Sequence, residues 1–333
     1  GKILQKIPSS EYVSKFIDQI LGDYYMDTAK EARNKFDEIK VDRTRMKPTV
    51  KITGEFWAQT TEGDGNFNMF PFLEKEGAQV IVEPIATWIM YMLHQAQSVN
   101  EDQKGINVYK ETDEKETLMD KFKLMKDYNS SKATIRLAEK IFEREYNRYR
   151  KAFGNIPHEL VDQKVLKDLA HDFYHSRVEG GEGHLEVGKS IYYTINDLSH
   201  MILSLKPFGC MPSTQSDGVQ SAVINRYKDM IFLPIETSGE GDVNAHSRVQ
   251  MALGEAKAKA KIEFNECLKK TGYTIEEIRA YVESHRELQS PFYHIGHRKG
   301  VIGTSANFIM DVGEMMSKEG IRRVSKVESE VSA

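Results

Sequence analysis

With 333 residues and 46 lysines and arginines against 50 aspartates and glutamates, the chain carries a formal net charge of only −4. That is too close to balance for a surface built to hold a polyanion, so nucleic acid is not expected as a partner. Hydrophobic residues make up 40% and charged residues 29%, the proportions of a globular protein with a sizeable core, and the length suggests two domains or three small ones.

The longest apolar run, Ile85 to Leu93, falls well short of the roughly 20 residues that cross a bilayer, so no membrane span is expected. The start, Gly1-Lys-Ile-Leu-Gln-Lys6, has no secretory pattern, and the cytoplasm is the default compartment. Ser9 to Lys40 reads as helix, with apolar positions Tyr12, Phe16, Ile20 and Leu21 and a second stretch from Thr28 to Ile39. Helix without a preceding strand is an odd opening for an α/β protein, so the chain is expected to be part of something larger. Pro48-Thr-Val-Lys-Ile-Thr-Gly54 has the alternating β-branched pattern of a strand. After a glycine-rich loop, Asn66 to Glu76 reads as helix ending at Gly77. Ala78 to Glu83 reads as strand, and Pro84 opens a helix to about Ala96.

Ser98 to Ala152 breaks this rhythm: it is charge-rich, helical in composition and without a strand. A further helix is predicted over 156–174. Val187 to Leu198 then reads as helix and His200 to Leu205 as a buried strand. The loop Lys206 to Gln215 and a helix to Tyr227 come next, then a strand over Met230 to Ile235 and a long helix over Asn244 to Lys270. The glycine-scattered tail from Pro291 has no clear element. This order predicts an α/β fold of doubly wound parallel-sheet (Rossmann-like) domains with an inserted helical segment. The divisions are 1–47, N-terminal helices and the possible end of a missing domain; 48–97, a first α/β unit; 98–175, the helical insertion; 176–272, a second α/β unit carrying Cys210; and 273–333, a C-terminal helix and tail.

Only two cysteines occur, too few for a disulfide framework or a four-thiolate metal site. Cys210 lies in Lys206-Pro-Phe-Gly-Cys-Met-Pro-Ser213, directly after a strand, where open α/β sheets place their ligands. Gly209 permits close backbone approach, Pro207 and Pro212 stiffen the loop, and Ser213 as a helix cap would set a positive helix end near a thiolate. A packed, inert thiol is the other reading. Ile235-Glu-Thr-Ser-Gly-Glu-Gly-Asp242 also follows a strand, so Glu236 and Thr237 would face Cys210 across one crevice. Glu236, Glu240 and Asp242 fit no standard calcium loop. Gly54-Glu-Phe-Trp57 with Gly63-Asp-Gly65 is a weak phosphate-loop signal, and no nucleotide fingerprint is present. His171 and His175 have a metal-ligand spacing without the glutamate of a zinc protease. His294 and His297 read as solvent-exposed, and Cys267 reads as packing.

The Cys210 block, with Ser216-Asp-Gly-Val-Gln220 and Ile235 to Asp242, resembles the C-terminal part of activase-related acyl-CoA dehydratase proteins. These are relatives of the cluster-binding subunits of 2-hydroxyacyl-CoA dehydratase and benzoyl-CoA reductase. Gly54-Glu-Phe-Trp57, Gly180-Gly-Glu-Gly183 and Ser247-Arg-Val-Gln250 resemble the same family, so the likeness runs from about Pro48 to Glu255. It implies an iron–sulfur component of an ATP-coupled, low-potential electron-transfer system in an anaerobic setting, with Cys210 as a ligand of a [4Fe–4S] or double-cubane cluster. Residues implied near substrate or cluster are Gly54, Glu55, Trp57, Gly181, Glu182, Gly183, Gly209, Pro212, Ser213, Glu236, Thr237 and Ser238. Implied partners are an ATP-hydrolysing activator, an N-terminal region or partner chain supplying further cysteines, and an acyl-CoA. The chain has no ATPase phosphate motif and is not expected to hydrolyse ATP by itself; as an enzyme it would be a lyase or oxidoreductase component. The cysteine deficit keeps a second reading open, a non-catalytic α/β binding or assembly module that has lost the cluster.

Overall fold

The computed structural model describes residues 22–61, 63–102, 118–178, 180–238 and 241–321, together with Tyr12, Ser14, Lys15 and Asp18. The helix start expected at Ser9-Ser10-Glu11, with Phe16, Ile20 and Leu21, lies outside the described residues. In chain order the first half holds α1 (Tyr24–Asp37), β1 (Thr49–Gly54), α2 (Phe56–Thr60), a 3-10 turn (Gly63–Asn66), α3 (Met69–Lys75), β2 (Gln79–Ile81), α4 (Ile85–Asp102) and α5 (Leu118–Ala152). The second half holds α6 (Gln163–Ala170), α7 (Gly183–Ile195), β3 (Met201–Pro207), α8 (Met211–Arg226) and β4 (Phe232–Thr237). It ends with α9 (Asp242–Thr271), α10 (Ile275–Ser284), a 3-10 turn (Arg286–Gln289) and α11 (Thr304–Lys318).

The chain divides into two units, one of residues 1–38 and 84–163, the other of 39–83 and 164–333. The first is helical among its described residues, with α5 packed against α1 and α4. At the end of α5, Arg150 Nε donates to Pro157 O (2.8 Å) and the Tyr146 hydroxyl to His158 O (2.6 Å). The helix expected over 156–174 is accordingly only the eight residues of α6, because these bonds hold its first part in an irregular turn.

The second unit contains the sheet. Its order is β2-β1-β3-β4 and every pairing is parallel. The strands of 48–97 and of 176–272 therefore join one sheet, a correction to the expectation of separate α/β domains. On one face Val50, Ile52, Met201, Leu203 and Leu205 pack with Met69 and Leu73 of α3 and Ala245, Val249 and Leu253 of α9. On the other, Ile202 packs with Val187 and Ile191 of α7 and Val223 of α8. This second face also carries Lys51, Thr53, Ser204 and Lys206, all buried. Alternation alone reads Lys51 and Thr53 as solvent-facing, yet β1 is buried along its whole length. A further core forms where the end of α9 meets α10 and α11, around Phe264, Cys267, Ile278, Phe308 and Val312. α10 opens with a capping box between Thr274 and Glu277. α11 is an element that the glycines before it concealed. Among the described residues, no helix is long and apolar enough to cross a membrane.

Candidate functional site

In the order β2-β1-β3-β4, the two neighbours of β1 lie on opposite sides of it. The carboxyl ends of β1 and β3 therefore frame the switch point where open parallel sheets hold ligands. β1 ends at Gly54, whose φ is +101° and whose position leaves no room for a side chain: a Cβ there would sit 2.2 Å from Leu205 O on β3. The Glu55 N–H donates to Leu205 O (2.8 Å) and Gln59 Nε2 donates to Gly54 O (2.8 Å), so the loop leaves the sheet on a fixed course. Glu55 caps α2 through Ala58 N–H, and Glu182 Oε1 accepts the Phe56 N–H at 2.6 Å. Two carboxylates thus occupy amides that a phosphate would need. Burial pushes the Glu182 carboxyl up and the Glu55 charge adds to this, against the Phe56 N–H. Gly63-Asp-Gly65 forms part of the 3-10 turn.

Glu182 lies just before α7, and Gly181 beside it touches Pro212 in the Cys210 loop. A Cβ on Gly181 would stand 2.5 Å from Pro212 Cγ. Tyr174 closes the same side, its hydroxyl donating to Gln215 at 2.7 Å. The segments 54–57, 181–183 and 209–213 therefore converge at one edge of the sheet, although some 150 residues of chain separate the first from the last.

Within the Cys210 loop the helix starts earlier than expected. Pro212 occupies the first turn of α8, where a missing N–H costs nothing, so Cys210 rather than Ser213 is the N-cap residue. Ser213 Oγ instead donates to Cys210 Sγ at 3.3 Å, and the Thr214 N–H and hydroxyl both donate to Cys210 O. The thiol is half-buried. Beneath it lies a buried polar knot that sequence reasoning did not assemble. Ser204 and Ser216 donate to the two oxygens of Glu186 (2.5 and 2.6 Å), and Lys206 pairs with Asp217 and stands 3.7 Å from Glu186. Lys206 is fully buried, which its carboxylate neighbours permit. The strand runs to Pro207, two residues past its expected end, and so takes in Lys206; the partners of that lysine on α7 and α8 were not readable from spacing.

The β4 loop adds a second wall. Phe208 N–H donates to Thr237 O (3.1 Å) and Thr237 Oγ1 to Lys206 O (3.3 Å), so Thr237 meets the start of the Cys210 loop. Glu236 and Ser238 line a cleft with Phe208, Asp217, Asn244 and Arg248. Around this edge Trp57, Phe208, Met211 and Val243 are exposed by 64, 74, 65 and 74%. Apart from Trp57, these apolar residues were not singled out from the sequence. Phe208 lies in the loop after β3, and Trp57, Met211 and Val243 lie in the first turns of the helices that follow β1, β3 and β4.

The other candidates do not join the site. Glu240 lies outside the described residues, and Asp242 accepts the N–H of its neighbour Val243. His171 and His175 sit in the turn after α6, where His171 Nδ1 meets Ser176 Oγ and His175 Nδ1 accepts the Arg177 N–H. His294 and His297 are exposed, and His297 Nε2 contacts Asn196 O at 3.0 Å. Cys267 is 2% exposed in the α9–α10–α11 core, where burial pushes its thiol up. Among the described residues, no group of three or more His, Cys, Asp and Glu side chains is placed to share a metal ion. An iron–sulfur cluster of the implied kind takes about four protein ligands. This chain brings one thiol to the crevice, so its described residues do not fit a whole cluster by themselves. Comparison with protein-family models, curated proteins and solved structures finds no match.

Proposed function

We propose that this chain is the thiol-presenting α/β part of a larger redox assembly related to 2-hydroxyacyl-CoA dehydratase. In this reading it has a doubly wound, Rossmann-like domain, and Cys210 is one ligand to a [4Fe–4S] or double-cubane cluster completed by ligands from another segment or chain. The observation that carries this reading is the convergence of the 54–57, 181–183 and 209–213 segments on the β1–β3 switch point. Those segments carry the family resemblance, and a half-buried thiol lies at their meeting place. The role of this chain is to position Cys210, to exclude water from one side of it and to hold the loop rigid. A bound cluster would supply low-potential electron transfer, with an ATP-hydrolysing activator as electron donor and an acyl-CoA as the substrate class.

The solitary thiol favours a second reading, in which the same crevice belongs to a cluster-free binding or assembly module. Anaerobic reconstitution with iron and sulfide separates the two. The first reading predicts a brown, visibly absorbing species when the segment or chain with the missing cysteines is present, and its loss in Cys210→Ser. A species indifferent to Cys210→Ser, or no species even with those cysteines supplied, leaves the cluster-free module.

A further inference from the structure

α9 packs one face on the sheet and on α10 and α11, burying Ala245, Val249, Leu253, Ala256, Phe264 and Cys267. Its opposite face carries a second line: Val243, Ser247, Met251, Gly254, Ala258 and Ile262. Each step in that line is three or four residues, so the six positions run along one side of the helix. None is charged and all are exposed, Met251 by 80% and Ile262 by 60%. A continuous apolar line of this kind on a water-facing helix marks an interaction surface. Gly254 lies in its middle, and a Cβ there would meet nothing within 4 Å. Nothing inside the chain requires that glycine, which costs the helix about 1 kcal/mol relative to alanine. Gly254 and Ala258 leave room for another backbone to approach closely.

We propose that this face of α9 is a homodimer interface, in which the α9 helices of two copies pack antiparallel about a two-fold axis at residue 257. The inference is independent of the Cys210 reading. Charge complementarity selects the occupant and its direction. Arg248, Glu255, Lys259 and Glu266 stand along one flank of the line, and the pairs Arg248/Glu266 and Glu255/Lys259 share the midpoint 257. An antiparallel two-fold sets a flank against itself. Arg248 then meets Glu266 of the second copy and Glu255 meets its Lys259, each twice, the kind of flanking pairing that sets orientation between helices. The same register brings Met251 to Ile262 of the second copy and Gly254 to its Ala258, near the axis. Glu255 and Lys259 already pair within one chain at 3.4 Å, so both are held on this flank. On the other flank Lys257 comes close to its own copy, but Glu76 of the same chain stands 3.4 Å from it and also accepts Gln250 Nε2. A parallel pair would instead set Lys259 beside Lys257 and Lys261.

The test is sedimentation of the full chain, thiols kept reduced, at low salt and from about 5 to about 500 μM. A reversible monomer–dimer equilibrium is expected, with a dissociation constant of roughly 10–100 μM because one helix face is a small interface. Gly254→Gln points its side chain into open space in the single chain, so its melting temperature should not fall. The added bulk at the crossing should weaken the dimer by about tenfold or more. Glu255→Lys and Lys259→Glu each set like charges opposite one another twice, and each should weaken self-association by roughly three- to tenfold. Mixed in equal amounts, the two charge variants regain opposite charges at both contacts, and the mixture should associate about as well as the wild type. A wild type that stays monomeric throughout the range would overturn the proposal, as would a dimer unmoved by Gly254→Gln. A mixture that associates no better than either charge variant alone would overturn the antiparallel pairing. Should Gly254→Gln not fold, the wild-type equilibrium and the charge variants decide it.

Discussion

Glu182 and Phe56 are joined by a 2.6 Å hydrogen bond from the Phe56 N–H to the Glu182 carboxylate, which ties the loop after β1 to the start of α7. This bond fixes two walls of the crevice relative to each other, and the Gly181–Pro212 contact adds the third. Because burial and the Glu55 charge raise the Glu182 carboxyl, its folded pKa lies above the unfolded one. Its contribution is therefore largest in acid and is lost as pH rises through the folded value. Glu182→Gln keeps an acceptor and removes the buried charge, so its stability relative to wild type should rise from pH 4 to pH 7. Glu182→Ala removes the acceptor and should cost about 1–2 kcal/mol at pH 7. Urea unfolding of both variants at the two pH values measures this. A Gln variant that loses ground on going to pH 7 would contradict the raised carboxyl.

Gly54 makes a sharper structural prediction. Its positive φ and the approach of Leu205 O leave no position for a Cβ. Gly54→Ala should destabilise the protein by about 2–4 kcal/mol, through a clash with backbone that cannot move without breaking the β1–β3 pairing. A melting temperature within a degree or two of wild type would show that the two strand ends do not meet as described.

Much of this edge was legible. The β-branched run of β1, the strand before Cys210 and the loops that carry glycines at turning points all have local signatures. What stayed hidden depended on partners far along the chain. Lys51 falls at a polar position of an alternating strand and Lys206 at the start of a loop, yet both are buried. Glu83, Glu186, Tyr193 and Asp217 allow that burial, and no local pattern announces such pairs. Ser213 looked like a cap because it precedes polar helix residues. Pro212 suits the first turn equally well, and it moved the cap to Cys210. The exposed Phe208, Met211 and Val243 escaped notice because the exposure of an apolar side chain at a strand end or in a first helical turn has no local signature.

The two cysteines should separate cleanly under iodoacetamide. Cys210 is partly exposed at a helix N-cap, whereas Cys267 is 2% exposed and its thiol is pushed up by burial and the Glu263 charge. In the native protein Cys210 should react roughly tenfold faster or more, and Cys267 should be modified only under unfolding conditions. Cys267→Ala should cost about 1 kcal/mol for the sulfur removed from the core. Cys210→Ser should lie within about 0.5 kcal/mol of wild type, as a half-exposed position allows. Peptide mass spectrometry after timed labelling gives the ratio, and equal rates would remove Cys267 from the core.

Acid stability should depend on Glu263, at the far side of the sheet from Cys210. Glu263 accepts the N–H groups of Ile302 and Gly303, both at 2.7 Å, and lies 3.6 Å from His200 Nε2. His200 in turn accepts the Thr49 N–H through Nδ1 at the start of β1. Burial opposes ionisation of Glu263, but His200 and the two N–H donors outweigh it, so its folded pKa falls below the ordinary carboxylate value. A lowered carboxylate contributes its full stabilisation above the unfolded pKa, near 4.5, and loses it as pH falls through the folded value. The wild type should therefore lose more stability than Glu263→Gln between pH 5 and pH 3. At pH 7 Glu263→Gln should be less stable by about 1–2 kcal/mol, because a neutral amide oxygen replaces a charged acceptor of two backbone donors. Denaturant midpoints at pH 3, 5 and 7 for the two proteins measure the difference. Parallel acid profiles would mean that Glu263 does not carry the join between the β1–β3 edge of the sheet and the α9–α11 core.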